Sequence, residues 1–143
     1  MQLSKLSDYA LRTLVLAAVR DPDLITVAEI ARTYAIPEGH VRKITHLLVR
    51  HGFLASVRGR SGGYRLAAPR DRIVVGRVLR ATETDFRLVE CFHPSSGLCR
   101  LEAGCGLRLV LQEALEAFLA VLDRTTLADV TADRRRLAFL LAP

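Results

Sequence analysis

No apolar run in this sequence approaches the roughly 20 residues needed to span a bilayer. The opening Met1-Gln2-Leu3-Ser4-Lys5-Leu6-Ser7-Asp8 has an early acid and no apolar core, so it does not read as a signal peptide. A cytoplasmic protein without a membrane partner is the expectation. Cysteine is scarce: there are three, an odd number, and that compartment keeps thiols reduced. A structural disulfide framework is therefore not expected. Catalytic signatures are missing too. No Ser/His/Asp set can be placed and no glycine loop has phosphate-binding spacing, so an enzyme is not expected. A chain of 143 residues is long enough for one compact domain, or for a small domain with an appendage.

What is present is an uneven charge. Residues 1–80 carry 14 Lys and Arg against 6 Asp and Glu, whereas residues 81–143 carry 7 against 9. The net charge of +6 is thus +8 in the first part and −2 in the rest. A basic excess confined to one part of a chain is an electrostatic footprint for a polyanion.

The pattern within the basic part says which one. Ser7 to about Arg20 reads as a helix capped by Ser7, with Asp8 in its first turn and Tyr9, Leu11, Leu14, Val15, Ala18 and Val19 as its apolar face. Asp21-Pro22-Asp23 ends it. Thr26 caps a second helix, Val27 to about Tyr34, with Glu29 at capping-box spacing. After Ala35-Ile36, Pro37 opens a third helix that runs to about His51, with Gly52 past its end. Val41, Ile44, Leu47 and Leu48 form its buried side. His40, Arg42, Lys43, His46 and Arg50 remain for solvent or a ligand. Two helices joined by a short turn, the second with a basic outer face, are the layout of a helix-turn-helix. Phe53 to Val57 and Tyr64 to Ala67 then read as a hairpin around Arg58-Gly59-Arg60-Ser61-Gly62-Gly63. The fold class expected is mainly α with a small β-hairpin wing: a winged helix-turn-helix binding double-stranded DNA. The third helix would read base edges, and Arg58, Arg60, Ser61 and Tyr64 of the wing would contact backbone or minor groove.

Val74 to Glu83 reads as a short helix closing the domain. From about Gly106 to Asp123 the chain is helical again, with Leu107, Leu111, Ala114, Leu115, Phe118, Leu119 and Leu122 at helical spacing. So long an apolar stripe has little left in its own chain to cover it, and it reads as the interface of a homodimer. Thr125 or Thr126 caps a short turn, Leu127 to Val130. The tail beyond Thr131 reads as a short packed helix. The division expected is 1–83 for the DNA-binding domain, 84–106 for a cysteine-bearing loop, and 107–143 for the dimerisation helix and tail.

All three cysteines fall between the two outer parts, as Cys91, Cys99 and Cys105 with C-x7-C-x5-C spacing, on a loop holding Pro94 and Gly97. Reduced thiols so grouped favour metal. Zinc sites use shorter gaps, and longer gaps suit an iron–sulfur cluster that must be wrapped. Spacing alone leaves cluster, zinc and free thiols open. Either metal wants a fourth ligand: His93, an acid, or a group from another subunit.

Several of these segments resemble one family. Leu6-Ser7-Asp8-Tyr9-Ala10-Leu11-Arg12, Val57-Arg58-Gly59, Gly62-Gly63-Tyr64-Arg65-Leu66 and the three-cysteine segment are similar to those of the Rrf-type winged-helix regulators. Leu88-Val89-Glu90-Cys91-Phe92 and Thr126-Leu127-Ala128-Asp129-Val130 resemble its nitric-oxide-sensing repressors. The resemblance covers roughly residues 1–130; Pro37 departs from the polar cap common there, and the tail lies beyond it. It implies a homodimer with one iron–sulfur cluster per subunit, [4Fe–4S], on Cys91, Cys99 and Cys105. It further implies Asp8 of the other subunit as fourth ligand, with Arg12 one turn on, beside it. Nitric oxide would then end repression. Alternatives from the same reading are a family regulator of cluster supply or redox state, and a zinc-stabilised DNA-binding protein.

Overall fold

The computed structural model of the chain describes residues 2–92, 99 and 104–142. Their order begins with three helices, α1 (Lys5–Arg20), α2 (Val27–Tyr34) and α3 (Glu38–Arg50), and a hairpin, β1 (Leu54–Val57) with β2 (Gly63–Leu66). It continues through α4 (Val75–Thr82), α5 (Gly106–Asp123), α6 (Leu127–Val130) and α7 (Arg134–Leu140).

α1 is the axis of the core. Its N-cap is Ser4, not Ser7: Ser4 has extended backbone, and its side chain accepts from the Ser7 amide at 3.2 Å. A cap must stand outside the helix it closes, and Ser7 is one turn inside. Its hydroxyl is wholly buried and lies 2.7 Å from the Thr82 hydroxyl at the end of α4. The face buried is also wider than the sequence stripe. Ala10, Thr13, Leu14, Leu16, Ala17 and Ala18 are all inside, because α3, α4, α6, α7 and β2 pack around this one helix. Ile30 of α2, Val41, Ile44 and Leu48 of α3, Leu54 of β1, Val78 of α4 and Leu127 of α6 complete the cluster. Each side chain of this size contributes about 1.5–3 kcal/mol on full burial.

α2 starts where expected, with Thr26 accepting from the Glu29 amide at 3.1 Å. Glu29 does not reach back to the cap; its carboxylate meets Arg20 at 2.8 Å, tying α2 to the end of α1. Ala35 takes the left-handed conformation (φ 52°) to turn the chain into α3. At the far end of α3, Gly52 holds φ 72°, the residue type that conformation favours.

The hairpin is antiparallel, from Leu54 opposite Leu66 to Val57 opposite Gly63. Ile25 adds a third backbone partner, exchanging bonds with Tyr64 at 2.9 and 2.8 Å. That closeness requires glycine at 63, since a Cβ there would stand 2.6 Å from the Ile25 carbonyl oxygen.

α5 corrects the expected stripe. None of its residues is buried. Leu111, Leu115, Phe118, Leu119 and Leu122 are half-buried on one side, while Leu107 and Ala114 lie exposed on another. Leu107, Val110, Ala114, Ala117 and Val121 recur every three or four residues and form an outward apolar face. The stripe read from sequence mixed these two faces, which are adjacent on the helix wheel. The inward side rests on α4, where Arg80 clasps Asp123 with both guanidinium nitrogens, one at 2.8 Å. Gly76 permits the approach, because a Cβ there would collide with the Asp123 carboxylate.

Beyond α5 the chain returns to α1. The Thr126 and Asp129 side chains form a capping box for α6. Arg134 donates to the Val19 and Asp21 carbonyls at 3.0 and 2.6 Å, and Arg20 donates to Leu141 at 3.1 Å. Carbonyls at a helix C-terminus lack intrahelical donors and carry partial negative charge. The tail therefore supplies a cation where α1 needs one.

Candidate nucleic-acid interface and metal centre

α3 turns Val41, Ile44, Thr45 and Leu48 inward, and the 3.6-residue period fixes what remains outside. Gly39, Lys43, His46 and Arg50 follow one another at intervals of four, three and four residues and make the central exposed strip. His40 sits at its edge toward α1. Arg42 sits at the opposite edge, where Glu38 holds it at 2.9 Å. The sequence reading included these five side chains but passed over Gly39, whose position in the strip leaves bare backbone at the exposed start of the helix. No neighbour lies within 4 Å of where its Cβ would be.

Arg58, Arg60 and Ser61 are exposed at the wing tip, where Gly59 has φ 120°. Tyr64 differs from them. It lies at the wing's base, half-buried against the core, with its backbone engaged by Ile25. The structure thus gathers the helix strip and the wing tip on separate elements joined by the short β1 segment.

The thiols lie at both ends of the middle segment. Cys91 is half-buried in a 3-10 turn, Glu90–Phe92; Cys99 is exposed; Cys105 is half-buried and N-caps α5. None is in a disulfide. His93 lies outside the described residues. Among the described residues, no three His, Cys, Asp or Glu side chains converge within one chain. Three unpaired, partly accessible thiols are soft donors of the kind that suits iron or zinc, and by number they would need a further ligand to complete a four-coordinate centre.

Asp8 is in the first turn of α1 and half-exposed, its carboxylate 2.8 Å from the Arg12 guanidinium. The Arg12 carbonyl in turn accepts from the Tyr34 hydroxyl at 2.8 Å. Burial pushes that phenol up to about 12, outweighing the opposing pull of Arg12 and Arg20. Ser4, Ser7, Thr82 and Glu83 form a polar cluster behind Asp8. The Ser4 amide donates to Glu83 at 2.7 Å. Burial alone would raise the Glu83 carboxyl, but hydrogen bonds from Ser7 and Ser4 hold it below its ordinary value.

This geometry can be set beside known proteins. The Rrf2 family, described as iron-dependent transcriptional regulators, matches residues 3–133. The chain belongs to the Rrf2 family. It is 43% identical over 142 residues to the HTH-type transcriptional regulator NsrR of Bacillus subtilis, covering 99% of this chain and 97% of that one. The NsrR regulator of Geobacillus kaustophilus is 45% identical with the same coverage of each. Among solved structures, a transcriptional regulator from Listeria innocua superposes with a TM-score of 0.79 at 25% identity, over 93% of this chain and 88% of that one. The chain is accordingly a DNA-binding transcriptional regulator and not an enzyme. As in the sequence reading, its fold is a winged helix-turn-helix with a long helix beyond it. No helix among the described residues of this Rrf2 chain is long and apolar enough to cross a membrane.

Proposed function

We propose that the protein is a cytoplasmic, homodimeric repressor whose grip on its operator depends on an iron–sulfur cluster and is released by nitric oxide. The observation that carries the reading is three unpaired thiols within the segment leading to α5, Cys91, Cys99 and Cys105, together with 43% identity to the Bacillus subtilis NsrR regulator. Cys91, Cys99 and Cys105 would hold a [4Fe–4S] cluster, one per subunit, with Asp8 of the partner subunit as fourth ligand. A carboxylate is a hard, weak ligand beside three thiolates, so the bound cluster supplies one iron that nitric oxide can reach.

The chain's own residues account for the rest. The outward face of α5, with Leu107, Val110 and Val121 each more than 45% exposed, suits a second copy of the same helix. Cys105 stands at the N-cap position of that helix, so ligation of its thiol would fix the start of the helix. Asp8, when no iron engages it, has Arg12 as its partner at 2.8 Å. Arg12 connects through Tyr34 to the last turn of α2, next to the Ala35 turn into α3. A dimer must hold its two recognition helices about one DNA turn apart. Small movements of α1 are thus transmitted to the spacing that the operator reads, provided the two states differ in DNA affinity.

Anaerobic purification tests the proposal. The expected result is a brown protein with about four irons and four sulfides per chain by the cluster assignment, whose operator affinity falls on titration with nitric oxide. A colourless, zinc-bearing protein, or equal affinity with and without cluster, would sink it. A regulator of cluster supply would instead respond to chelator and oxygen before nitric oxide. Val110→Glu, which puts a charge on the outward face of α5, is expected to give a monomer by light scattering.

A further inference from the structure

The first two turns of α1 and the near edge of α3 enclose a cleft of about 260 Å³, lined by Lys5, Leu6, Tyr9, His40, Lys43 and Ile44. Leu6, Tyr9 and Ile44 make a largely apolar floor, and Lys5, His40 and Lys43 are the exposed rim. Lys5 and Tyr9 are one turn apart on α1, and His40 and Lys43 one turn apart on α3, so each pair shares a side of its helix. The basic residues nearby differ in what they already hold. Arg12 is occupied by Asp8 and Arg42 by Glu38, whereas the ion pairs among the described residues include none of the three rim groups.

We propose that this cleft grips one sugar–phosphate segment of the DNA backbone beside the groove that α3 enters, with Lys5 as a phosphate contact from α1. The inference rests on α3 being the recognition helix. Charge complementarity and continuity choose the occupant. The rim continues the Lys43, His46 and Arg50 strip, and an apolar floor between ammonium groups matches a deoxyribose carrying its phosphate. An apolar peptide would leave two ammonium groups unanswered, and a free anion would leave the floor uncovered. Lys5 stands three residues before Asp8. The turn of α1 that bears the candidate iron ligand therefore also bears a backbone grip, and moving it alters phosphate contact directly.

Lys5→Ala tests this, since the side chain is exposed and outside the core. Affinity is measured against salt for a duplex selected by the wild-type protein from a random library, and for an unrelated duplex of equal length. His46→Ala serves as the comparison. Each phosphate neutralised contributes about 0.9 to the slope of log affinity on log salt. Lys5→Ala is expected to lower that slope by about this amount and to weaken both duplexes by the same factor, whereas His46→Ala weakens the selected duplex alone. An unchanged slope, or a loss confined to the selected duplex, overturns the assignment of Lys5 while leaving α3 as the recognition helix. Wild-type protein that enriches no duplex from the library overturns both.

Discussion

Gly39 separates stability from function with opposite signs. It is the second residue of α3, exposed, and open space surrounds the position its Cβ would take. Glycine within a helix costs roughly 0.5–1 kcal/mol relative to alanine, through the backbone freedom it gives up on folding. In a first turn, about half of that is at stake. Gly39→Ala should therefore leave the fold intact and raise stability by about 0.25–0.5 kcal/mol, or about 1–2 °C in Tm for a chain of this size. DNA binding should move the other way. Gly39 shares its strip with Lys43, His46 and Arg50, and a methyl group there holds the start of the helix off the base pairs. Side-chain contacts with base edges are worth about 1–3 kcal/mol each, so loss of one weakens the selected operator about 5- to 150-fold. Thermal unfolding reads the first effect and fluorescence anisotropy with a labelled duplex the second. Unchanged operator affinity would refute the placement of this strip in the groove, and lowered stability would refute the reading of Gly39 as a residue without structural need.

Three further outcomes are expected. Ser7→Ala should cost about 0.5–1.5 kcal/mol, the net worth of a buried hydrogen bond. Thr82→Val should cost a similar amount, and the double variant less than the sum, since either single change already breaks the contact the two hydroxyls share; strict additivity in urea unfolding would contradict the 2.7 Å contact. Asp8→Ala breaks only an exposed helical ion pair, worth about 0.3–0.5 kcal/mol, so its circular dichroism should match the wild type while bound iron and sulfide fall; full iron retention would remove Asp8 from the ligand set. Tyr34 is neutral when folded up to about pH 12, and its phenol ionises near 10 when unfolded. Its stabilising share is present below pH 10 and is lost as pH rises toward 12. Tyr34→Phe should flatten the alkaline fall of stability over that interval, and an identical profile would count against the buried phenol.

The sequence by itself determined the helix-turn-helix and wing. Thr26, Pro37, Gly52 and the Gly62-Gly63 pair act within a few residues of where they stand, so local chemistry placed α2, α3 and the hairpin almost to the residue. The basic strip followed, because the helical period fixes which side chains face outward once Val41, Ile44 and Leu48 are inside. Composition likewise set the basic first 80 residues apart from the slightly acidic remainder. Tertiary structure decided what depends on partners far along the chain. Ser4 caps α1, and Ser7, one turn inside, meets Thr82, 75 residues away. The two apolar faces of α5 look like one stripe until α4 covers only one of them. The tail reads in sequence as a short helix with no stated partner, and only in the fold does its Arg134 meet the carbonyls at the end of α1. The cleft between Lys5 and Lys43 likewise exists only because α1 and α3 pack side by side, which no period within either helix records.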